Sequence, residues 1–172
     1  MTRQYLSLLL LAFPAVAQLP ESPLLPVAAS AIDVSHSDAR LKYHFLAVGK
    51  QIYHCQNGAW DPASTPDAVL TETHSNMQVH HQAGPSWTTS DSRSTVRAIG
   101  RTAVHFAAPD GVSIDWLKLD VDKTSRTGDF SDIGMIQRLY TGAGKPPLGA
   151  CSANQVYDSP YTAHYYFWIS QP

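Results

Sequence analysis

The sequence predicts a single domain built as an antiparallel all-β sandwich or barrel, and three observations carry that reading. Short runs rich in Val, Ile, Thr, Tyr, Phe and Trp are punctuated by Gly, Pro, Asn and Asp. No segment repeats apolar residues at helical spacing, and 172 residues suit one hydrophobic core. About eight to ten strands fit this length and turn density. A hydrophobic share of 44% against a charged share of 15% describes a folded chain, since a disordered one shows the reverse balance.

Taken in order, Met1 to Ala17 reads as a secretory leader. Arg3 is the basic start, Leu6 to Phe13 the apolar run, and Ala15-Val16-Ala17 the small-residue cleavage site. The apolar run is too short to span a bilayer and Pro14 interrupts it. Residues 18–41 contain LPESPLLPVAA, Pro-rich and without period, which predicts an extended N-terminal arm ahead of a β domain over 42–172. Lys42 to Val48 and Gln51 to Gln56 read as two strands joined by a tight turn at Gly49-Lys50, which would set Phe45 opposite His54 and His44 opposite Cys55. Asn57-Gly58 offers a second tight turn. Asp61 to Asp67 reads as a loop, Ala68 to Leu70 and Met77 to His81 as β runs, and Gly84-Pro85 as a bend. Further runs follow at Ser94 to Gly100, Thr102 to Ala107, Val112 to Leu119 and Phe130 to Tyr140. Pro109-Asp110-Gly111 is a turn, 120–128 a polar loop, and Tyr161 to Ile169 the most aromatic strand.

A secreted chain resides in an oxidising compartment, where two lone cysteines are more often bonded than free; Cys55 and Cys151 are therefore expected to form a disulfide. Loss of Arg3 with the leader leaves 11 basic against 14 acidic residues. With no basic surplus to neutralise phosphates, nucleic acid and anionic membrane are disfavoured as partners.

Several motifs that suggest chemistry do not hold together. Gly142-Ala143-Gly144 is followed by Lys145-Pro146-Pro147, not by the helix start that a phosphate cradle requires, so no nicotinamide or flavin cofactor is expected. Ser86 lacks the spacing of a nucleophile elbow. Asp120, Asp122 and Thr124 begin like a calcium loop, but Ser125 replaces the needed glycine and Ser131 the bidentate glutamate. His80 and His81 are adjacent, hence on opposite faces of a strand, and no histidine pair has metal-ligand spacing, so no metal is assigned. What stands out is Gln137 and Arg138 inside an apolar run, because a buried charge needs partners. Together with His81 they would hold an anionic or carbonyl-bearing ligand by paired donors. Trp87, Trp116, Tyr161 and Tyr165, with the other large aromatics, serve either as a plain core or as the walls of such a pocket.

One ordered set of motifs covers the chain from about Lys42 onward. It comprises Tyr53-His54-Cys55; His81 with Gly84-Pro85-Ser86-Trp87; Asp115-Trp116-Leu117; Ile136-Gln137-Arg138 with Thr141 and Gly144; and Pro160 to Phe167. The set resembles the secreted domain-of-unknown-function family numbered 3455, whose members look like exported fungal and bacterial proteins. Some members are labelled malate dehydrogenase, a label at odds with a chain that has no dinucleotide-binding unit. This sequence departs from the family's pattern at Asp91-Ser92-Arg93 and at His164.

The sequence therefore leads to a secreted, disulfide-closed β domain that binds a small molecule or associates with a surface, with candidate ligand contacts Trp87, Trp116, Gln137, Tyr161 and Tyr165. The alternative is a cofactor-free isomerase, cyclase or lyase acting on a small secondary metabolite, with His81 as general acid or base and Arg138 stabilising developing negative charge. Oligomeric state is left open by the sequence.

Overall fold

A computed structural model describes residues 21–35, 37–122 and 124–169; the leader segment and the cleavage site expected after Ala17 lie outside the described residues. Ten strands are present: β1 (Arg40–Gln56), β2 (Ala59–Trp60), β3 (Thr65–Glu72), β4 (Gln78–Gln82), β5 (Ser86–Thr89), β6 (Thr95–Arg97), β7 (Val104–Phe106), β8 (Trp116–Asp120), β9 (Ile133–Ala143) and β10 (Val156–Ile169). Nine of them form one antiparallel sheet in the order β6-β5-β4-β3-β1-β10-β9-β8-β7, with β2 paired to the end of β1. The sheet curls on itself as a half-barrel. Its ends meet where Ala98 bridges Val121, the Ile99 N–H donates to Asp120 O at 2.8 Å, and the Asp122 N–H donates to Arg97 O at 2.9 Å. The architecture is all-β and single-domain as expected, and of the two forms foreseen it takes the barrel-like one.

The organising element is β1, and it differs from the sequence reading. Residues 40–56 are one unbroken strand pairing with β10 from Arg40 to His54 and with β3 from Phe45 to Ile52. The hairpin expected at Gly49-Lys50 does not exist. Phe45 lies opposite Tyr165 and Glu72, His54 opposite Val156, His44 opposite Tyr166, and Cys55 opposite Trp60. Glycine serves here for close approach: a Cβ at position 49 would stand 2.4 Å from the Ala68 Cα and the Asp67 carbonyl oxygen. The turn at Asn57-Gly58 does form, with φ of 53° and 81°, as a two-residue turn with both residues left-handed requires.

Period-two alternation divides the sheet into two faces. The inner face buries Phe45, Ala47, Leu70, Val79, Trp87, Val96, Leu119, Ile136, Tyr161, Ala163, Tyr165 and Phe167 in one cluster, with Phe130 entering from the loop before β9. Each large side chain taken fully out of water here contributes about 1.5–3 kcal/mol. The outer face carries a second cluster of Leu41, Trp116, Leu139, Tyr166 and Trp168, covered by Ala29, Ile32 and Val34 of the N-terminal arm. That arm, expected to be extended, winds into a 3-10 helix at Val27–Ile32 that follows Pro26, a residue whose fixed φ suits a helix start. Val112 to Leu119 also differs from expectation: the strand begins only at Trp116, so Ile114 joins the inner cluster while Trp116 belongs to the outer one.

The disulfide between Cys55 and Cys151 is formed. It ties the segment after β9 to the end of β1, where the Cys151 N–H also donates to Gly58 O at 3.1 Å. Among the described residues no helix is long and apolar enough to cross a membrane.

Candidate functional site

At the end of the half-barrel where β1 emerges toward its disulfide, the apolar filling gives way to a cavity of about 620 Å³. One wall is β4 and β5. His81 and Trp87 face each other in register across those strands and stack with ring centroids 4.3 Å apart and planes 2° from parallel. Both are buried, at 3% and 0% exposure. The His81 Nδ1 lies 3.0 Å from the Ser86 carbonyl oxygen. A carbonyl can only accept, so Nδ1 carries the proton and Nε2 keeps its lone pair. Burial pushes the His81 imidazole down to about 3, with the nearby Arg138 charge acting in the same direction and the Ser86 bond opposing. His81 is therefore neutral at ordinary pH and a weak proton acceptor.

The middle wall is β1 and β10. Gln51 and Tyr53 follow Gly49 on the inner face of β1, and Tyr165 projects inward from β10 with its ring plane at 67° to that of His81 and 65° to that of Trp87. The Tyr53 hydroxyl donates to Gly144 O at 2.8 Å, and Ser64 Oγ donates to Gln51 Oε1 at 2.7 Å. Burial raises the Tyr165 phenol against the opposing pull of Arg138. Tyr161 stands two inward positions away along β10, beyond Ala163, its hydroxyl 3.3 Å from that of Tyr165, and its phenol is also raised by burial. It supports Tyr165 from behind and does not itself line the cavity.

The far wall is Arg138 on β9 with Leu117 and Leu119 on β8 and His105 on β7. Arg138 donates from Nε and Nη2 to the Asp115 carbonyl oxygen, at 3.2 and 2.8 Å, and among the described residues no carboxylate pairs with it. The Asp115 side chain instead faces His105, with Oδ2 3.2 Å from Nδ1. Lys145 reaches the rim and donates to Gly111 O at 3.0 Å. Pro62, Ala63, Ala83, Pro85 and Ala103 complete an apolar mouth.

Two buried donors on these walls, Gln51 Nε2 and Trp87 Nε1, have no hydrogen-bond partner among the described residues. A buried donor left unpaired costs about 1–3 kcal/mol, and both atoms are closed off from the open space of the cavity.

Of the residues singled out from sequence, His81, Trp87, Arg138 and Tyr165 share this cavity. Gln137 does not. As the strand neighbour of Arg138 it points to the opposite face, where Nε2 donates to Ile32 O at 2.6 Å and Oε1 accepts from Trp168 Nε1 at 2.7 Å. Both ends of its amide are occupied in holding the arm to the sheet. Trp116 likewise lies on the outer face against Phe106 and Tyr140. Sequence reasoning missed Gln51, Tyr53, His105 and Asp115. The signal for the first two was the inward period Phe45, Ala47, Gly49, Gln51, Tyr53, Cys55, concealed by dividing β1 at Gly49. Among the described residues, no group of three or more His, Cys, Asp or Glu side chains is arranged to hold a metal ion.

Compared with known proteins, the chain matches neither a curated protein nor a solved structure. Residues 36–169 match the family described as Protein of unknown function (DUF3455). That span holds every strand of the half-barrel and every residue lining the cavity, and the chain belongs to this family.

Proposed function

We propose that this chain is an exported binding domain that takes a small, largely apolar molecule into the open end of its half-barrel. The observation that carries the reading is the cavity itself, walled by Trp87, Leu117, Leu119 and Tyr165 with the Arg138 guanidinium on its far side. Its volume falls in the range of small-molecule sites, about 300–1,000 Å³, and its composition follows their pattern of apolar walls with a few convergent polar groups. Export is supported by the leader-like first 17 residues together with the Cys55–Cys151 bond, which persists in oxidising compartments.

The test uses N-phenyl-1-naphthylamine, a neutral dye that fluoresces in apolar sites. The mature protein is expected to bind it saturably. Ala63→Trp and Ala83→Trp, two exposed rim positions filled with a bulky ring, are expected to weaken binding without changing the unfolding midpoint. Binding unaffected by both rim substitutions would remove the cavity as the site.

A second reading, a cofactor-free enzyme, is favoured by the His105–Asp115 pair at the cavity rim. A carboxylate on Nδ1 orients the imidazole and leaves Nε2 to exchange protons, whereas the neutral, low-pKa His81 is poorly suited to that role. Enol-to-keto conversion of phenylpyruvate, compared between the wild type and His105→Gln, separates the two readings. Conversion that falls with His105→Gln favours the enzyme; dye binding with no conversion favours the binder.

A further inference from the structure

We infer that the ligand is an apolar monocarboxylate whose carboxylate sits on the Arg138 guanidinium, an inference that rests on the cavity being the binding site. Charge balance is the first argument. The chain carries a formal net charge of −2, yet the ionisable residues lining the cavity are Arg138 and Lys145 against Asp115 alone, with His81 and His105 as the histidines. A positive lining inside an acidic protein selects for negative charge.

Hydrogen-bond accounting is the second argument. Arg138 has five N–H groups and commits Nε and one at Nη2 to the Asp115 carbonyl, which fixes the guanidinium plane on a backbone atom; the Tyr165 hydroxyl lies beside it as a further hydrogen-bond partner, and among the described residues no carboxylate takes the remaining N–H groups. A planar fork held in this way matches a carboxylate bidentately. The single guanidinium favours a monoanion over a phosphate. The lining groups beside the guanidinium, Tyr53 and Tyr165, are neutral, and the one carboxylate, that of Asp115, is turned to His105. The remaining walls, Leu117, Leu119, Ile114, Pro62 and Pro85, are apolar and fit a hydrocarbon or aryl body.

The test is competition against N-phenyl-1-naphthylamine by two probes of one shape, 1-naphthylacetate and its neutral amide 1-naphthylacetamide. The acid is expected to compete about ten- to a hundredfold better than the amide, the range of a charge-assisted hydrogen-bonded pair. Arg138→Met is expected to close that gap, and Arg138→Lys, which keeps the charge and loses the fork, to narrow it. Equal competition by acid and amide, both blocked by Ala83→Trp, overturns the carboxylate assignment and leaves the cavity as the site. A preference for the acid that survives Arg138→Met overturns Arg138 as its seat. Dye binding indifferent to the rim substitutions overturns both this inference and the reading beneath it.

Discussion

Replacing His81 by glutamine should flatten the dependence of stability on pH, and the size of the effect follows from where the imidazole sits. In the native protein burial holds its pKa at about 3, whereas the unfolded chain returns it to the ordinary 6.5. Between those values the unfolded state binds a proton that the native state does not. Stability therefore rises with pH across this window and is lost as pH falls below about 6.5. At about pH 7 the unfolded imidazole is mostly neutral, and by about pH 5 it is almost fully protonated while native His81 is still neutral. At 1.36 kcal/mol per pKa unit this one residue withdraws about 2 kcal/mol of stability between the two conditions. His44, half-buried against His164 and pushed down to about 4, contributes in the same direction, so the comparison must be between proteins and not between pH values alone. Urea unfolding followed by tryptophan fluorescence at both pH values gives the difference. The wild type should lose about 2 kcal/mol more than His81→Gln on acidification. Equal losses would mean that native His81 titrates freely, and the sealed, stacked geometry against Trp87 would be wrong.

Three further outcomes are expected. Replacing Cys55 and Cys151 by serine together should lower stability by about 4–5 kcal/mol in the chain-entropy treatment, read from urea midpoints, because the bond closes a loop across a separation of 96 residues. Gly49→Ala should destabilise by at least about 1–3 kcal/mol in urea unfolding, since its Cβ would meet the β3 backbone, which cannot rotate aside as a side chain can. Gln137→Leu should cost about 2–4 kcal/mol in thermal or urea unfolding by stranding Ile32 O and Trp168 Nε1, yet leave dye binding in the cavity unchanged because it acts on the other face.

The all-β class and most turns were legible because they rest on local chemistry. Asn57-Gly58 and Pro109-Asp110-Gly111 specify backbone conformations that few other residues adopt. The disulfide was legible from composition and compartment. Gly49 was not, because glycine serves equally for a left-handed turn and for contact between strands, and only the neighbouring β3 decides which. That single ambiguity propagated. With β1 divided, Gln51 and Tyr53 lost their register with Phe45, and two residues of the cavity's middle wall went unnoticed. Gln137 is a different matter, since strand alternation alone separates it from Arg138. His105 and Asp115 come together only through the pairing of β7 with β8, a contact that no local pattern announces.

The short seam that joins residues 97–99 to residues 120–122 has a further consequence. In a barrel closed by continuous ladders, strand number and stagger fix the radius, and the girth of the interior becomes a constant of the fold. Here closure rests on one bridge and a few hydrogen bonds, continued beyond the bridge by the Thr127 N–H donating to Thr95 O at 2.8 Å and the Asp129 N–H donating to Ser94 Oγ at 2.9 Å, at residues away from the middle of the long β1–β10 ladder. Girth is then less rigidly set than in a barrel laddered all the way round. On the proposed binding reading, discrimination by size is correspondingly loose, and selectivity falls to the fixed groups of the walls: Arg138 held on the Asp115 carbonyl, and the His81–Trp87 stack.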